Sequence, residues 1–199
     1  MIITRRRYMT KIEKYKKLLV VVDMINGFIK EGKMSDKDIN HITSKIKSLV
    51  EKFLSEDEAV AFIKDTHTKD SIEFKKYPEH CIGGTSECEL ISELAGYEKD
   101  SLVYRKNSTS TIFASNFIRD IERMKSLKEV VITGCCTDIC VMNLAIPLVN
   151  YFDEHDRDVK VRVPQNAVET FDSETHDRHE YNRVALRLMK NQGIGVENI

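Results

Sequence analysis

Proline is nearly absent: the chain has three, at 78, 147 and 164. It also lacks a Pro/Gly-rich linker, an internal repeat and any low-complexity tract. Nothing divides it, so one domain over residues 1–199 is expected. No apolar stretch reaches spanning length, so no transmembrane helix is expected. Residues 1–17 are largely basic and polar, without the apolar centre of a signal peptide, and read as an N-terminal extension. Net charge is almost missing too: 31 basic against 32 acidic residues give −1. That balance gives no reason to expect a nucleic-acid or membrane partner. The cluster Arg5-Arg6-Arg7 reads as a solvated tail. Five cysteines, at 81, 88, 135, 136 and 140, are odd in number, and none has Cys-x-x-Cys spacing. This argues against a disulfide framework or a thiolate zinc knot, and for a reduced, cytoplasmic setting.

What is present organises around Glu129-Val-Val-Ile-Thr-Gly-Cys-Cys-Thr-Asp-Ile-Cys140. Val130, Val131 and Ile132 predict a buried strand, which Thr133 and Gly134 end. Thr137 and Asp138 are helix-start residues before an apolar run over 139–149. Cys140 is thus expected in the first turn of a helix, where the positive helix end lowers a thiol pKa.

Elsewhere, strands are expected at residues 18–24, 59–64, 101–105 and 159–163, with a further one over 195–199. Asn26-Gly27 reads as a turn. Helices are expected over 36–55, 86–95, 112–127, 138–152 and 174–191, with Phe113, Phe117, Ile121 and Met124 on one buried face. Pro147 should kink or shorten its helix. Residues 68–85 read as a long polar loop. The alternation predicts an α/β three-layer sandwich with a central, mostly parallel sheet flanked by helices. Ligands of such sheets bind beyond the carboxyl ends of the strands. Asp23, Asp65, Lys106 and Cys140 each fall at or just past such an end.

Each of these has a plain alternative. A cysteine is usually a small buried hydrophobe, which suits Cys81, Cys88 and Cys135. Asp23 is either a capping carboxylate or a general base for a neighbouring thiol. Lys106 is either an exposed lysine or a fixed cation between Asp23 and Cys140. Asp65 and His67 point to one side of an extended chain; with His80 and Glu73 they form a set suited to zinc or iron, or else a polar loop with scattered histidines. Phe28 is core or an aromatic wall for a flat ligand. His176 and His179 on the last helix either face a metal or, as the surrounding Asp177, Arg178 and Glu180 favour, form an exposed, hydrated helix face.

The segments Asp23-Met-Ile-Asn-Gly-Phe28, Asp65-Thr-His67, Tyr77-Pro-Glu-His-Cys-Ile-Gly-Gly-Thr85, Lys106 and Gly134-Cys-Cys-Thr-Asp-Ile-Cys-Val141 resemble the isochorismatase-like cysteine hydrolases, and the nicotinamidases most among them. The resemblance runs over about residues 18–175. It implies an Asp23–Lys106–Cys140 triad, a cis peptide between Cys135 and Cys136, and an oxyanion hole from the N–H groups of Cys136 and Cys140. It further implies a divalent metal on Asp65, His67 and His80, with Glu73 joining directly or through water, and Phe28 stacking on the substrate. Zinc is the metal expected, with iron and manganese as alternatives. The implied reaction is hydrolysis of a small-molecule amide, nicotinamide to nicotinate and ammonia, as in NAD salvage. The oligomeric state, homo-oligomer or not, is left open. The stretch after Lys106 and the stretch 165–171 depart from commoner nicotinamidases. An amidase for a non-pyridine amide, a binding protein on this fold and a redox thiol protein stay open as alternatives.

Overall fold

The computed structural model describes residues 11–199. The arginine cluster at 5–7 lies outside them. Six strands form one sheet: β1 (Lys17–Val22), β2 (Ala59–Asp65), β3 (Leu102–Lys106), β4 (Glu129–Cys135), β5 (Lys160–Arg162) and β6 (Val168–Glu169). The order is β3-β2-β1-β4-β5, with β6 also paired to β4, and every pairing is parallel. The chain order reverses between β1 and β4. That makes the crevice beyond their carboxyl ends the natural place for a ligand.

The strands alternate their apolar side chains between two helical layers. Leu19, Val21, Val60 and Phe62 meet α1 (Asn26–Ile29), α2 (Thr43–Ser55) and α3 (Ser92–Ala95). Leu18, Val20, Ala61 and Ile132 meet α4 (Phe117–Arg123), α5 (Met142–Glu154) and α6 (Arg178–Asn191). Both faces of the sheet are covered, the arrangement that parallel strands require. Ile12 and Tyr15, in the stretch read as an extension, are buried in the second layer. Among the described residues no helix is long and apolar enough to cross a membrane.

Several elements differ from expectation, each for a local reason. Gly134 does not end β4. It sits at φ +107° opposite Val22, where a Cβ would lie 2.0 Å from the Val22 carbonyl oxygen, so only glycine lets the strand run on to Cys135. Asn26-Gly27 begins a short helix rather than a turn, and Gly27 packs so tightly that a Cβ would meet Cys81 Sγ at 2.7 Å. The helix expected over 36–55 opens with a 3-10 segment, Lys37–Ile42, capped by Asp36. That over 86–95 divides into Ser86–Cys88 and α3. That over 112–127 is broken by Asn116 at φ 71°, which detaches Phe113 from the buried face and leaves it 82% exposed.

Pro147 lies inside α5 without shortening it. The carbonyl of Asn143 that it leaves unpaired accepts the Ser110 hydroxyl at 2.8 Å. The last helix starts at Arg178, where Asp177 caps Glu180 N–H. Of residues 195–199, Gly195 alone forms a ladder bridge, to Arg162.

Candidate active site

Three strand ends and one turn converge on the crevice. Asp23 follows β1, Asp65 closes β2 and Lys106 closes β3; Asp65 and Lys106 are direct register partners. Beyond β4, Thr137–Val141 forms a single π-helical turn that carries Cys140. The Lys106 ammonium touches three groups: Asp65 Oδ1 at 2.8 Å, Asp23 Oδ2 at 2.9 Å and Cys140 Sγ at 3.6 Å. All four side chains are buried.

Charge balance follows from that burial. Desolvation pushes the Lys106 pKa down, but the Asp23 and Asp65 charges outweigh it and hold the ammonium well above its ordinary value. For Asp23 burial wins over Lys106, and the carboxyl is pushed up to about 6. Asp65 keeps its charge: burial raises it, but Lys106, His67 and His80 pull it well below the usual carboxylate range. The Cys140 thiol is not lowered, contrary to expectation. Burial pushes it well above an ordinary thiol, Lys106 pulling it down and the two carboxylates adding to the rise. One turn of helix dipole does not offset that desolvation. Such a thiol holds its proton until a base takes it. Asp23 Oδ2 rests against the Lys106 ammonium, while Oδ1 has no hydrogen-bond partner among the described residues.

The second group leans on the other oxygen of Asp65. His67 Nε2 lies 2.9 Å and His80 Nε2 3.2 Å from Asp65 Oδ2. The far nitrogens are pinned: His67 Nδ1 on Asn107 Oδ1 and His80 Nδ1 on the Pro78 carbonyl, each at 2.7 Å. Both outer partners are acceptors, so both Nδ1 atoms carry hydrogen, and in neutral rings both Nε2 lone pairs face the carboxylate. A cation fits those converging donors, and outer hydrogen bonds of this kind orient metal-ligating histidines. Burial lowers His67, but Asp65 and Asn107 outweigh it and raise its pKa, the response of an imidazole facing an anion. The ligand atoms of Asp65, His67 and His80 all lie within 4.8 Å of one another. Glu73 is buried and lines the adjoining pocket, but it is not in that set.

The pocket, about 460 Å³ counting its open mouth, joins the two groups: Asp65, His80, Cys136 and Cys140 all line it. Phe28, Met34, Tyr77, Thr109, Ile139 and Phe171 complete its wall. Phe28 is both packed in the core and presented to the pocket, 5.7 Å from the His80 ring. Thr109 comes from the stretch after Lys106 and Phe171 from the stretch 165–171. Met34 carries no signal in the sequence; Ile139 lies inside the Gly134–Val141 segment and Asn107 in the stretch after Lys106, neither marked there as a site residue. The peptide between Cys135 and Cys136 is cis.

His176 is not on an exposed helix face. It precedes α6, is 8% exposed and bonds Asp138, because the turn before Asp177 folds it inward. His179 is exposed.

Comparison with known proteins agrees with this arrangement. The isochorismatase domain model matches residues 17–192. Nicotinamidase 1 of Arabidopsis thaliana is 34% identical over 139 residues, covering 63% of this chain and 57% of the plant protein, so the match spans under two thirds of that relative. The crystal structure of nicotinamidase PncA from Bacillus subtilis is 29% identical, with a TM-score of 0.77 over 92% of this chain and 99% of that one. Pyrazinamidase/nicotinamidase from Streptococcus mutans UA159 is 27% identical, with a TM-score of 0.76 over 91% and 99%. With nearly its whole length inside the family match, the chain belongs to the isochorismatase domain family.

Proposed function

We propose that the protein is a metal-containing cysteine amidohydrolase that converts nicotinamide to nicotinate and ammonia. The observation that carries this reading is the Lys106 ammonium within 3.6 Å of an acid, a second acid and a thiol. The named activities of the plant and bacterial relatives support it.

Asp23 takes the Cys140 proton, and the sulfur attacks the carboxamide carbon. The N–H groups of Cys136 and Cys140 receive the developing oxyanion. The C–N bond breaks as Asp23 returns the proton to departing ammonia, leaving a thioester. Asp23 then deprotonates water, which attacks the thioester; nicotinate leaves and the Cys140 thiol regains its proton. Lys106 stays charged throughout and fixes Asp23 against the sulfur. Phe28 packs on the flat ring and, with the other walls, holds it for attack; such positioning supplies several kcal/mol. Asp65, His67 and His80 would hold the metal, which when bound supplies a Lewis-acid contact for the pyridine nitrogen. Five free thiols suit a reducing compartment such as the cytoplasm.

The test is ammonia release from nicotinamide, with and without a chelator, beside the Cys140→Ala variant. Release that needs both metal and Cys140 is expected. No ammonia at any metal loading overturns the reading.

A further inference from the structure

The carboxylate of Asp138 sits two residues before Cys140 on the same π-helical turn. One oxygen accepts the Thr170 hydroxyl at 2.6 Å; the other lies 2.9 Å from His176 Nε2. His176 Nδ1 lies 3.0 Å from the Phe171 carbonyl, an acceptor. Both ring nitrogens therefore face acceptors. The imidazole also lies between two aromatic rings: Phe171 at 3.9 Å and 12°, Tyr181 of α6 at 3.7 Å and 26°. Phe171 is fixed twice, by its carbonyl and by its ring, and its side chain lines the pocket beside Cys140. One buried imidazole thus touches both the turn that carries the thiol and the wall that a substrate would rest on.

We propose that His176 is a positioning residue: through Asp138 it sets the height of the Cys140 turn, and through Phe171 it sets the width of the pocket. This rests on the amidohydrolase reading. The two contacts separate by substitution. The Gln side-chain amide of His176→Gln reaches Asp138 with a donor but has no ring to stack on Phe171. His176→Ala loses both contacts.

Steady-state kinetics on nicotinamide with the metal-loaded protein gives the first readout. His176→Ala should lower kcat about tenfold or more and raise KM, since a displacement near 1 Å can cost that much. His176→Gln should bring kcat back to within about threefold while KM stays raised. If both variants melt earlier but keep wild-type kcat and KM well below their melting temperatures, the residue is structural only and the proposal fails. Should His176→Ala not fold, Asp138→Ala takes its place, with kcat expected to fall and KM to change less. The second readout needs no substrate: iodoacetamide labelling of Cys140, followed by peptide mass. A rate changed several-fold in His176→Ala and restored in His176→Gln supports the positioning role even if wild type releases no ammonia, in which case only the amidohydrolase reading falls. An unchanged labelling rate overturns the proposal.

Discussion

The two halves of the site share Asp65 but are built in opposite ways. Asp23, Asp65 and Lys106 stand at strand ends, so the sheet ladder itself sets their spacing; Asp65 and Lys106 are register partners. His67 and His80 lie on the connection between β2 and α3. The His67–Ile82 bridge ties this segment to itself, and its backbone meets the rest of the molecule near its ends, at Thr66 on Lys106, Asn26 on Glu89 and Leu90 on Ile25. The aim of the two rings comes from side-chain hydrogen bonds to Asn107 and to the Pro78 carbonyl. Ladder geometry is stiff and survives the loss of a side chain. Side-chain anchoring is adjustable and fails one bond at a time. The first half should respond to substitution as chemistry lost with structure kept, the second as graded loss of ion affinity.

The sharpest break in that contrast is Cys140→Ala. Turnover should fall about 10⁴-fold or more, as for other removed nucleophiles, while zinc stoichiometry by elemental analysis stays at the wild-type value. A parallel loss of zinc would show that the halves are not separable. Next comes His80→Ala, which removes one of three converging ligands. Zinc affinity by competition titration should drop by more than the roughly 100-fold that an outer-shell change can cost, with Cys140 still alkylated. Asn107→Ala leaves all three ligands and removes the 2.7 Å anchor of the His67 ring, together with an acceptor of the Ser71 hydroxyl, which itself lies 3.2 Å from His67 Nδ1. A loss of about 10- to 100-fold in zinc affinity is expected, with the melting temperature little changed; wild-type affinity would mean that the His67 ring is held by something else.

The smallest effect is a pH limb. Asp23 must be ionised to act as base, and its pKa is raised to about 6. So kcat/KM should fall tenfold per unit below that value. The sign for stability is opposite. A raised carboxyl binds its proton more tightly folded than unfolded, so its contribution is fully present below the unfolded value near about 3.9 and is lost as pH rises through the folded one. Circular dichroism across pH 5 to 8 should thus show no unfolding from this residue where activity fades. A flat rate profile over that range would remove Asp23 as the titrating base.

Legibility in the sequence follows the same division. Runs such as Val20-Val21-Val22 and Val130-Val131-Ile132 mark buried strands; Asp23, Asp65 and Lys106, named as strand-end residues, and Cys140, named from the helix start after its strand, do meet. The helices were less legible because periodicity carries no information about interruptions. The left-handed Asn116 that frees Phe113 is invisible in the apolar spacing, as is the Ser110 hydroxyl that lets a helix run through Pro147. His67 and His80 could be grouped with Asp65 by residue type, with a polar loop of scattered histidines as the alternative; the spacing does not show that both rings are buried while most of the loop between them is exposed. The thiol expectation failed because a helix start is local and desolvation is not: the walls around Cys140 come from segments far apart in the chain. His176 was misplaced for the same reason, its partner lying 38 residues away.

One carboxylate serving two neighbourhoods has a further consequence. Asp65 turns Oδ1 to Lys106 and Oδ2 to the imidazoles. An ion held on Oδ2 would draw electron density from Oδ1 and loosen its hold on Lys106, so an ion on one side and an amide docked on the other would be coupled, and equilibrium coupling is reciprocal. The factor by which an ion changes the affinity for a docked amide is the factor by which that amide changes the affinity for the ion. Where the factor exceeds one, idle copies would surrender their ion before busy ones, and scarcity of the ion would fall first on molecules with nothing to do.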